Sequence, residues 1–63
     1  MSVVAFARLV REEIEQDLQS VETGILAGIS NMEDYRQAVG KRHGLKQALG
    51  IIEDTMKRFD EQE

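Results

Sequence analysis

No proline interrupts the chain, and its apolar residues recur three or four positions apart on both sides of one glycine-marked break. Proline removes a backbone donor and clashes with the preceding turn. A proline-free chain with a helical apolar period therefore reads as a helical chain. The break is Gly24-Ile25-Leu26-Ala27-Gly28-Ile29-Ser30-Asn31. Glycine takes the left-handed conformation that ends many helices, which places Gly28 just past a helix C-terminus. Ser30-Asn31-Met32-Glu33 then reads as a capping box, with the Ser30 hydroxyl accepting from the Glu33 N–H and the Glu33 side chain reaching back. The pattern predicts a first helix over about 2–27, a turn over about 28–30, a second helix over about 31–59 and a polar tail over 60–63. So short a turn makes the helices antiparallel neighbours. The expected fold is all-α, an antiparallel two-helix hairpin.

The faces follow from spacing. In the first helix the apolar stripe runs Val3, Ala7, Val10, Ile14, Leu18, Val21, Ile25. In the second it runs Ala38, Arg42, Leu45, Leu49, Ile52, Met56, Phe59, a heptad seam with Arg42 as a charged intruder. Pairing around a turn near residue 29 sets residues opposite when their numbers sum to roughly 58 or 59. Ile14 then meets Leu45, Val10 meets Leu49 and Ala7 meets Ile52. Asp17 falls opposite Lys41 and Arg42, which predicts an Asp17–Arg42 or Asp17–Lys41 ion pair at the seam. Such a pair is either a register or partner-specificity device or a half-exposed contact worth about 0–1 kcal/mol.

One seam is a thin core for 63 residues of which 41% are hydrophobic and only two Phe and one Tyr are aromatic. Domains of this size bury only about 60% of their unfolded surface, and most add disulfides, a metal or a partner. The chain has no cysteine, which leaves self-association or docking to complete a bundle. Leu9, Leu26, Val39 and Ile51 lie off the main seam, which points to a second buried surface. Gly40, Gly44 and Gly50 fall inside the predicted second helix, where each costs about 1 kcal/mol relative to Ala. Gly40 and Gly44 are four apart and share a face with Ile51 and, at its edge, Ala48. Such a strip of small residues lets another backbone approach closely, within the hairpin or from a neighbouring chain. The other reading is a bent or frayed helix that tolerates glycine. Gly50 lies on the opposite side, and the pattern does not account for it.

Little in the chain suggests catalysis. His43 is the one histidine and sits almost opposite Leu45, pointing outward with no nucleophile beside it. The carboxylates at Glu12, Glu13, Glu15 and Asp17, and at Glu53 and Asp54, lack the Glu-x-x-His pairs of bundle di-metal sites and read as solvated faces. Lys41, Arg42, His43 and Lys46 form a basic cluster without interleaved aromatics. Single-stranded nucleic acid recognition uses stacking aromatics, and the formal net charge is −4. No enzyme activity, cofactor, metal or nucleic-acid partner is expected. The longest apolar run, Val3 to Ala7, is far short of the ~20 residues that span a membrane. Arg8 and Arg11 follow it, whereas a secretory signal carries its charge first. No membrane association is expected.

The string Tyr35-Arg36-Gln37-Ala38-Val39-Gly40-Lys41-Arg42-His43-Gly44-Leu45-Lys46-Gln47-Ala48-Leu49 resembles a pattern of small phage and prophage helical-hairpin proteins. Their second helix reads Tyr-Arg, then Val-Gly, then Gly-Leu, then Ala-Leu. The resemblance covers about the second half of the chain and puts Gly40 and Gly44 in patterned positions. Such proteins are often encoded among head and tail genes. The resemblance implies a virion or morphogenesis component that packs on itself or on a larger virion protein, located in the virion. The alternative expectation is a small acidic cytoplasmic regulator or inhibitor that binds a host or phage protein. The residues expected at the interaction surfaces are Asp17, Arg42, Gly40, Gly44, Ala48, Ile51, Leu9 and Leu26.

Overall fold

The computed structural model describes residues 2–62 and consists of two helices, α1 (Val3–Leu26) and α2 (Met32–Gln62), packed along their length. Ser2 caps α1, its Oγ accepting from the Ala5 N–H at 3.0 Å. At the other end the Ala27 N–H donates to the Thr23 carbonyl and the Gly28 N–H to the Ile25 carbonyl. These bonds satisfy carbonyls that a helix end leaves without partners. Gly28 has a φ of 94°, and no other described residue has a positive φ. The hairpin reversal therefore rests on one left-handed glycine.

The start of α2 differs from the sequence expectation. Asn31, not Ser30, is the capping residue. Its Oδ1 accepts from the Asp34 N–H at 2.8 Å, and its Nδ2 donates to Asp34 Oδ2 at 3.1 Å. Asn is at least as good a cap as Ser. The motif is thus Asn31-x-x-Asp34, one residue beyond the Ser30–Glu33 box. Glu33 and Asp34 still occupy the first turn, where the helix dipole favours anions. Asn31→Ala is expected to cost about 1 kcal/mol of helix stability, and Ser30→Ala only a small fraction of that. Thermal melts of the two variants followed by circular dichroism check the assignment.

α2 also runs further than expected. The predicted end at Phe59 is overrun, and residues 60–62 are helical. No glycine or proline follows Gly50 to stop the helix, and an Arg58–Asp54 pair one turn apart supports its last turns. Glu63 lies outside the described residues.

The two stripes form the seam. Ala7, Val10, Ile14, Leu18, Val21 and Ile25 of α1 are half-buried, as are Ala38, Arg42, Leu45, Leu49, Ile52, Met56 and Phe59 of α2. Val3 departs from the pattern. It is exposed at the open end, and Val4 is the half-buried residue there. Val4 and Ala7 line one notch with Ile52, Thr55 and Met56, in agreement with the register derived from the turn. The molecule measures 49 × 18 × 12 Å, with a radius of gyration of 14.7 Å. A compact chain of this length has a radius of gyration of about 11 Å. The hairpin is a flat rod, one helix thick.

Candidate interaction surface

A rod of two helices has a seam but no interior. Among the described residues no side chain, apolar or polar, is buried. The accessible surface is 5086 Å², whereas a folded monomer of 7.2 kDa exposes about 4,100 Å². The surplus is on the order of 1,000 Å², and one side of a standard protein interface covers about 800 Å².

The exposed apolar side chains gather at the two ends of the rod. Val3, Phe6, Leu9 and Ile51 are exposed at the open end, beside the notch whose walls include Ala7, Met56 and Phe59. Phe6 is 61% exposed and Ile51 67%. Leu26, Met32 and Tyr35 are exposed around the turn, Leu26 at 87%. Val39, also off the predicted stripe, is half-buried.

The small-residue strip does not hold the hairpin together. A Cβ added at Gly40, Gly44 or Gly50 would meet nothing within 4 Å. The reading of Gly40 and Gly44 as a close contact inside the hairpin is therefore corrected. These glycines are exposed, and Ala48 is half-buried at the edge of the seam. Nothing in the hairpin itself approaches the strip.

The seam ion pair is a second correction. Asp17 is exposed, Arg42 half-buried and Lys41 exposed, and they form no ion pair. The ion pairs among the described residues are Arg11–Glu15, at 3.4 Å, and Arg58–Asp54, each within one helix. A hydrated carboxylate at the solvent edge gains too little from such a pair to offset the ordering of two side chains. Arg11 is half-buried, and its covered Nε lies 3.4 Å from Glu15 Oε1 without making a hydrogen bond.

The missing cross-helix pair exposes a charge pattern that single-pair reasoning passes over. From Glu12 to Glu22, α1 carries Glu12, Glu13, Glu15, Asp17 and Glu22 and no base. From Arg36 to Lys46, α2 carries Arg36, Lys41, Arg42 and Lys46 and no acid. The hairpin lays these two stretches side by side in the turn-side half of the rod, an acidic run on α1 beside a basic run on α2. The signal lies in the charge summed over each stretch, not in any one pair.

No family model, curated protein or solved structure matches the chain. Among the described residues no helix is long and apolar enough to cross a membrane. No group of three or more His, Asp or Glu side chains there could hold a metal ion. His43 is exposed.

Proposed function

We propose that this chain is a non-enzymatic assembly component, a helical hairpin completed by helix-to-helix packing on another protein chain. The observation that carries the reading is the absence of any buried side chain among the described residues, together with a surface about one interface too large for a folded monomer. A hairpin of this kind is marginal alone and gains a core when a second helical surface covers it. The resemblance of Tyr35–Leu49 to small phage proteins supplies the setting, a phage particle in which the chain packs on itself or on a larger virion protein.

Mass spectrometry of purified particles tests the setting. The chain is expected in the particles at a fixed copy number. Its presence in infected-cell extracts and absence from particles would overturn the virion role in favour of a regulator. A purified chain that melts sharply as a monomer, at a temperature independent of concentration, would overturn the assembly reading itself.

A further inference from the structure

We draw no further inference here: the strongest candidate, the exposed apolar patch of Phe6, Leu9 and Ile51 beside the notch at the open end of the hairpin, is an unpartnered face, and nothing in the structure shows what covers it.

Discussion

Ile51→Lys is expected to weaken the proposed helix-to-helix association by a factor of at least roughly ten. Burying an isoleucine contributes about 1.5–3 kcal/mol relative to leaving it exposed. Lysine at that position loses this term and sets an ammonium group where a partner would cover it. In the isolated hairpin Ile51 is 67% exposed, and a substitution at such a site ordinarily changes stability by no more than about 0.5 kcal/mol. The contrast makes the experiment informative. Melts at low and high micromolar concentration, with sedimentation equilibrium alongside, are expected to show a large loss for the variant. The wild-type midpoint is expected to rise with concentration, because association stabilises whatever folds with it. A variant with the melting curve and mass of the wild type would remove Ile51 from any interface.

Gly28→Val is expected to abolish the hairpin. Gly28 has a φ of 94°, a conformation that places a side chain's Cβ against the following carbonyl at about 1–2 kcal/mol, and more for a β-branched residue. Open space around the site gives no relief, since the conflict is with the residue's own backbone. At the usual 0.05–0.15 kcal/mol per residue, 63 residues hold roughly 3–9 kcal/mol in total. A chain without buried side chains among its described residues sits at the low end of that range. Gly28→Asn is the matched control, because asparagine tolerates the left-handed region. Circular dichroism is expected to show the Gly28→Asn variant helical and the Gly28→Val variant largely unfolded at the same temperature. Equal helix content in both would mean that the reversal does not depend on the glycine.

The seam was legible because helical periodicity is a property of the chain read locally, and both stripes could be counted off residue by residue. The turn was legible from Gly28 for the same reason, since only glycine takes that φ freely. The helix boundaries were less so. Ser30 and Asn31 are adjacent, and both are good caps. Only the backbone geometry decides which side chain reaches the N–H at its third position, and it favours Asn31 with Asp34. The end of α2 was misjudged because a run of polar residues looks like a fraying tail. Helix needs no apolar face when nothing breaks it and one-turn pairs such as Arg58–Asp54 support it. The Asp17–Arg42 pair failed for a different reason. Sequence spacing sets which residues share a level, but whether two solvated side chains meet depends on rotamer entropy and hydration, which spacing does not carry.

The candidate surface was half-legible. Leu9, Leu26 and Ile51 stood out as apolar residues off the seam, and each is exposed. Phe6 and Met32 did not, because they sit within apolar or terminal stretches where off-centre residues pass unremarked. Gly40 and Gly44 were readable as helix positions that carry a propensity cost without an internal reason. The opposed charges of the two turn-side stretches emerged only when the hairpin set them side by side and no ion pair between the helices joined them.

A rod without a buried side chain among its described residues has a bearing on how long the molecule survives in a cell. Cleavage of a folded chain tracks how often it opens, and few contacts restrain the opening of a lone hairpin. On the proposed assembly, a copy covered by a partner opens less often. Unassembled copies would then be the ones exposed to proteases, and synthesis in excess would end in turnover of the surplus.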